Sequence, residues 1–127
     1  MLYQKHFDAK KVQVWVRAGE SFLFLHTKPE RGGRWQPVTG HVEKGETEWD
    51  AATREVFEET GFSGMLRSLE MSFFYQARGL WYRESGFVML VDPAPVILDS
   101  HEHDASSWQV QEGLYPLQRC MMQQAAL

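Results

Sequence analysis

A chain of 127 residues, 43% hydrophobic and 24% charged, has material for one domain with a real core and too little for two ordinary ones. No apolar run approaches the roughly 18 to 20 residues that span a bilayer, and the formal charge of -4 gives no general attraction to nucleic acid. A polyphosphate ligand would therefore need a local basic patch or a metal ion to offset repulsion. The amino-terminal MLYQKHFDAKKVQVW has no uninterrupted apolar segment after its basic residues, so no secretory signal is expected. The single cysteine, Cys120, cannot close an intramolecular disulfide and fits a reducing compartment, which makes a cytoplasmic location the expectation. Its Met-flanked setting reads as helix packing rather than catalysis.

Residues 11–17 (KVQVWVR) and 21–26 (SFLFLH) are rich in β-branched and aromatic residues, and Ala18-Gly19-Glu20 between them resembles a turn. They predict an antiparallel pair. The next segment, TKPERGGRWQPVTG, carries Pro29, Gly32, Gly33 and Pro37 and reads as a loop with a short extended piece near Trp35 to Val38. From Thr47 to Thr60 there is no Gly or Pro, and Trp49, Ala52, Val56 and Thr60 recur at helical spacing with Thr53 beside them. That pattern predicts a helix with a core-facing stripe, capped by Thr47 and ended by Gly61. Two further strands follow, MLRSLEMSFFYQA and WYRESGFVMLV, with a connection near Arg78-Gly79. DPAPVILDSHEHDASS reads as irregular, and LYPLQRCMMQQAAL as a terminal helix beginning near Pro116. Strands on both sides of a central helix, with another helix last, predict a mixed sheet covered by helices.

Between Gly40 and Phe62 the chain places seven acidic side chains against Lys44 and Arg54. On a helix, Glu48, Glu55, Glu58 and Glu59 fall within about 100° of one another and form an acidic wall beside the apolar stripe. Glu55 and Glu59 are a like-charge pair four residues apart, destabilising by roughly 0.2 to 0.5 kcal/mol. Arg54 is placed to reach Glu58 in the next turn, while Asp50, roughly 130° or more away, reads as a solvent-facing charge. The remaining carboxylates call for a cation. Without a His or Cys cluster on the helix, the oxygen-rich set favours Mg²⁺ or Mn²⁺ over Zn²⁺. His101 and His103 raise the question of zinc, but neither a Cys pair nor a helical His pair accompanies them.

The same residues match the signature of the Nudix hydrolases: Gly40, Glu46, Arg54, Glu55, Val56, Glu58, Glu59, Gly61 and Phe62 fill it position by position. The resemblance implies an α/β/α sandwich with a mixed β-sheet, spanning 1–127 as one Nudix domain, and hydrolysis of a phosphoanhydride in a nucleotide-like substrate with Mg²⁺. It further implies Glu55, Glu58 and Glu59 as metal ligands, with the Gly40 carbonyl joining them and Arg54 orienting the glutamates. Glu55 is the first choice as general base. Glu102 is the second, because SHEHD, with Trp108 shortly after, is similar to a Glu-His loop that carries an additional acid in many members.

GRWQPVTGHVEKGE resembles the corresponding segment of dihydroneopterin triphosphate pyrophosphatases, and RESGFVMLV is faintly like their later Glu-Ser strand. GHVEKGE is also similar to dinucleoside tetraphosphate hydrolases. The leading expectation is thus a nucleoside or dihydroneopterin triphosphate. Dinucleoside polyphosphates, nucleotide sugars, RNA 5′ ends and a sensor without turnover are the alternatives. Arg34, Trp35 and Tyr75 are candidate substrate contacts, through a phosphate clamp and ring stacking; Phe74, Trp81, Tyr82, Arg31, Arg78 and Arg83 are of the same kinds. Nudix relatives are often dimers, which places a homodimer among the expected partners.

Overall fold

A computed structural model describes residues 7–109 and 114–127. Residues 1–6, the start of the amino-terminal stretch read above, lie outside the described residues. The strands are β1 (Ala9–Ala18), β2 (Ser21–Thr27), β3 (Trp35–Gln36), β4 (Val38–His41), β5 (Met65–Ala77), β6 (Leu80–Leu90) and β7 (His103–Trp108). Among the described residues the helices are α1 (Glu48–Thr60) and α2 (Pro116–Ala125), with a 3-10 turn at Pro29–Arg31.

β1 runs parallel to β6 along its whole length and is paired on its other side by β4 and, at its end, by β2. Every other ladder is antiparallel, so the sheet is mixed, as expected. The β1–β2 turn and the β5–β6 hairpin across Arg78-Gly79 stand where the sequence places them. The stretch expected to be irregular does not remain so: His103–Trp108 forms β7, antiparallel to β2. Its sequence, HDASSW, lacks the apolar alternation of a strand that faces a core, so only the partner strand reveals it.

Side-chain parity builds the sandwich. Val12, Val14, Val16, Leu23, Leu25, Phe87 and Met89 point to one face and pack with Ala51, Ala52 and Val56 of α1. The alternate residues Trp15, Phe22, Phe24 and Val88 point to the other face and pack with Leu114, Met121 and Ala125 on and beside α2. Two helices thus cover the two faces of one sheet, and each large apolar side chain so buried contributes roughly 1.5 to 3 kcal/mol. α2 comes close enough to β6 that a Cβ at Gly86 would meet Met121. Cys120 lies exposed on α2 rather than in the packing. Among the described residues, no helix is long and apolar enough to cross a membrane.

Candidate active site

α1 begins as its sequence predicts, with Thr47 capping, but Asp50 completes the cap. The Asp50 N–H donates to Thr47 Oγ1 at 3.0 Å and the Thr47 N–H donates to Asp50 Oδ2 at 3.2 Å. Asp50 is therefore not an idle surface charge; it satisfies an amide at the helix start and sits favourably against the dipole. The helix ends at Gly61, in the left-handed conformation with φ 79°, its N–H bonded to the Phe57 carbonyl at 2.9 Å. Such a conformation is open to glycine at little cost.

The buried face is rotated from the expected stripe. Ala51, Ala52, Val56 and Thr60 are buried, whereas Trp49 is half exposed, edge-on to Phe87, and Thr53 faces solvent. Glu55 and Glu59 lie on the buried side, Glu59 only 2% exposed, while Glu58 is exposed. Glu48 leaves the wall altogether: it accepts a hydrogen bond from Ser85 Oγ and lies 3.7 Å from Arg83. Glu58 and Glu59 occupy the last turn, which holds no basic residue, and so oppose the negative end of the helix dipole.

Two features place Glu55. A Cβ at Gly40 would overlap its carboxyl group, so only a glycine on β4 leaves room for that side chain. Arg54 Nη1 donates to Glu55 Oε1 at 2.8 Å. The expected Arg54–Glu58 contact is secondary, at 3.4 Å; the guanidinium fork is instead bidentate to Glu46, at 2.7 and 3.0 Å, and also donates to the His41 carbonyl at 2.9 Å. Helix spacing alone favours Glu58, but the loop that returns Glu46 offers the planar, two-oxygen match that guanidinium prefers.

Glu102 reaches the site through β7. His103 stands opposite Thr27 while Ala105 stands opposite His26, so Asp104 is an extra residue in the ladder. This bulge sends Asp104 out to His26, 2.7 Å away, and leaves His103 buried beside Glu59. Ligand atoms of Glu59, Glu102 and His103 lie within 4.8 Å of one another. Glu59 Oε2 and His103 Nδ1 are 2.6 Å apart, yet neither makes a well-directed hydrogen bond. In the sequence the Glu-His pair points to Glu102, and the place of His103 beside Glu59 emerges only from the pairing of β7 with β2.

Burial pushes the Glu59 carboxyl up to about 7, against the pull of His103 and with the help of Glu102. Burial also pushes Glu55 up, opposed by Arg54 and reinforced by the charges of Glu58 and Glu102. Contact with Arg54 pulls Glu46 down. Glu55 and Glu59 thus converge at a site that resists their ionisation unless positive charge enters, whereas Glu46 already has its cation in Arg54.

Of the candidate substrate contacts, Arg34 and Tyr75 line one cavity of about 380 Å³ on the α2 face of the sheet. Trp35 is not among its lining residues and packs instead against His26, with ring centroids 5.0 Å apart. Arg31 lies 3.5 Å from Glu102.

A family model of the NUDIX domain matches residues 9–121. The chain belongs to the NUDIX domain family. This NUDIX domain is 39% identical over 90 residues to an octanoyltransferase of Myxococcus xanthus, covering 68% of this chain and 25% of that protein. It spans between a quarter and just over half of the length of the curated relatives it matches. Among solved structures, a C. elegans Ap4A hydrolase binary complex superposes with a TM-score of 0.77 at 26% identity, covering 92% of this chain and 94% of that one. The E. coli dihydroneopterin triphosphate pyrophosphohydrolase superposes with a TM-score of 0.68, also at 26% identity, over 78% of each chain.

Proposed function

We propose that this NUDIX domain is a Mg²⁺-dependent pyrophosphohydrolase acting on a small nucleotide-like triphosphate, either a nucleoside triphosphate or dihydroneopterin triphosphate. The observation that carries the reading is the convergence of Glu59, Glu102 and His103 at the negative end of the helix that holds Glu55 and Glu58. The donor set fits a hard divalent ion: it is mostly carboxylate oxygen, and Glu59 Oε2 is buried without a directed partner. Glu55, Glu58 and Glu59, with the Gly40 carbonyl, would hold the ion, which would supply charge masking of the phosphates, a more acidic water and stabilisation of the leaving phosphate.

The chain's own groups supply the rest. Arg54 fixes Glu55 and Glu46 relative to β4. Glu55 accepts the proton of the attacking water as a new P–O bond forms and the bridging P–O bond breaks, with Glu102 as the second candidate for that proton. Arg34 and Tyr75 bind the remainder of the substrate from the cavity. A second reading, hydrolysis of dinucleoside polyphosphates, draws on the likeness to the C. elegans Ap4A hydrolase over nearly its full length.

The deciding experiment incubates the metal-free protein with a panel of nucleoside triphosphates, dihydroneopterin triphosphate, dinucleoside polyphosphates and nucleotide sugars, before and after adding Mg²⁺. Pyrophosphate release from a triphosphate only with Mg²⁺ is the expected result, together with a higher melting temperature in millimolar Mg²⁺. Turnover that persists in excess EDTA overturns the metal assignment, and binding without turnover across the panel identifies a sensor.

Gly40→Ala offers a separate test of the glycine. The new methyl must displace a side chain rather than backbone, so the fold should survive at a cost of about 1 to 3 kcal/mol, while turnover falls about tenfold. A variant with native turnover would show that Glu55 need not lie beneath Gly40.

A further inference from the structure

The cavity on the α2 face includes a buried polar floor formed by Glu84, Gln13 and Tyr75. Glu84, 6% exposed, and Gln13, 1% exposed, lie side by side on β6 and β1 and share that face by parity. Gln13 Nε2 donates to Glu84 Oε2 at 2.7 Å, and the Tyr75 hydroxyl donates to Glu84 Oε1 at 2.9 Å. An ionised carboxylate only accepts, so the Gln13 amide must turn its NH₂ toward Glu84 and present its Oε1 elsewhere. That Oε1 is buried without a partner. Burial and the Glu84 charge push the Tyr75 phenol up, so its proton remains committed to Glu84. Each Glu84 oxygen retains further accepting capacity. The floor thus offers acceptors on Glu84 and on Gln13 Oε1, while the Tyr75 hydroxyl and one Gln13 N–H are committed to Glu84.

A ring that satisfies such a floor must bring adjacent N–H groups. Adenine and cytosine place a donor beside an acceptor on their pairing edge, and uracil flanks its single N–H with two carbonyls. A 2-amino-4-oxopyrimidine edge presents a ring N–H next to an exocyclic NH₂, the two-pronged donor that matches a carboxylate. We propose that Glu84, supported by Gln13 and Tyr75, selects substrates whose ring carries this 2-amino-4-oxopyrimidine edge, which guanine and pterins share. Phe73 lines the same cavity, and Lys11 and Arg34 on its wall would supply positive charge for the attached phosphates. The proposal rests on the reading of the site as one for nucleotide-like triphosphates and narrows its substrate class. Discrimination follows from the cost of a buried acceptor left unpaired by the wrong ring.

The test avoids turnover altogether. The metal-free full chain, labelled for NMR, is titrated with guanosine, inosine, adenosine and 6-hydroxymethylpterin. Guanosine and the pterin should bind roughly tenfold or more tighter than inosine, which lacks only the 2-amino group, and should shift the signals of Gln13 and Tyr75. The tighter of the two identifies the ring the cavity serves. In Glu84→Gln the advantage of guanosine over inosine should shrink to near unity. Equal binding of guanosine and inosine by the wild-type chain overturns the proposal, whatever the variant does. So does an unchanged preference in a folded Glu84→Gln protein. If selectivity is absent while triphosphates are still hydrolysed, the function stands and this inference fails; selectivity without hydrolysis gives the reverse.

Discussion

Glu59→Gln should lower turnover on the order of 10²-fold or more and leave the metal-free protein as stable as the wild type or more so. The loss would follow from removing a proposed charged metal ligand where phosphate charge must be neutralised. The stability follows from burial: Glu59 is 2% exposed, sits at the negative helix end and faces Glu102. Its folded carboxyl group is pushed up to about 7 from an ordinary value of 4.5, so the fold binds its proton more tightly than the unfolded chain does. The stability it contributes is present below about pH 4.5 and is lost as pH rises toward 7, at up to roughly 1.4 kcal/mol per pH unit. Melting temperatures in EDTA should therefore fall across that window in the wild type and fall less in Glu59→Gln. Mg²⁺, proposed to bind the ionised form, should offset the wild-type loss near pH 7. A variant with native turnover, or one less stable than the wild type in EDTA at pH 7, would remove Glu59 from the metal set.

α1 was legible because its signals are local. Thr47, Gly61 and the unbroken run between them define its ends, and the Thr47–Asp50 spacing already carried the capping partner that a surface reading of Asp50 passed over. β1, β2, β5 and β6 were legible from β-branched and aromatic runs. What was not legible depends on distant pairing. β7 lacks an apolar pattern, and Glu102 meets Glu59 only because β7 pairs with β2 with Asp104 bulged outward. Periodicity assigns carboxylates to solvent, so it could not reveal that Glu55 and Glu59 turn inward; that needed the space above Gly40 and the bulge beside His103. The cavity floor is hidden for the same reason. Gln13 and Glu84 look like polar interruptions in two strands until parallel pairing brings them together.

Arg54→Ala should reduce turnover by about 100-fold, at the upper end of what loss of an orienting partner costs, and should differ from Glu59→Gln in the sign of its effect on stability. Arg54 bridges four acceptors: both oxygens of Glu46, Glu55 Oε1 and the His41 carbonyl, all within 3.0 Å. Its removal leaves the buried Glu55 carboxylate without its cation and releases the loop that Glu46 ties to the helix. Metal-free stability should therefore fall, most clearly at neutral pH. Arg54 holds Glu46 down, so that pair contributes stability above the ordinary carboxylate range that is lost as the medium becomes acidic enough to protonate Glu46. Wild type and variant should accordingly converge in stability at low pH. Arg54→Lys should rescue little, because an ammonium group cannot form the fork to Glu46 while also meeting Glu55 and the His41 carbonyl. The discriminating readout is the Mg²⁺ concentration for half-maximal rate. If Arg54 positions Glu55, that concentration rises in Arg54→Ala; a fall in rate at unchanged Mg²⁺ dependence would instead place the guanidinium on the substrate.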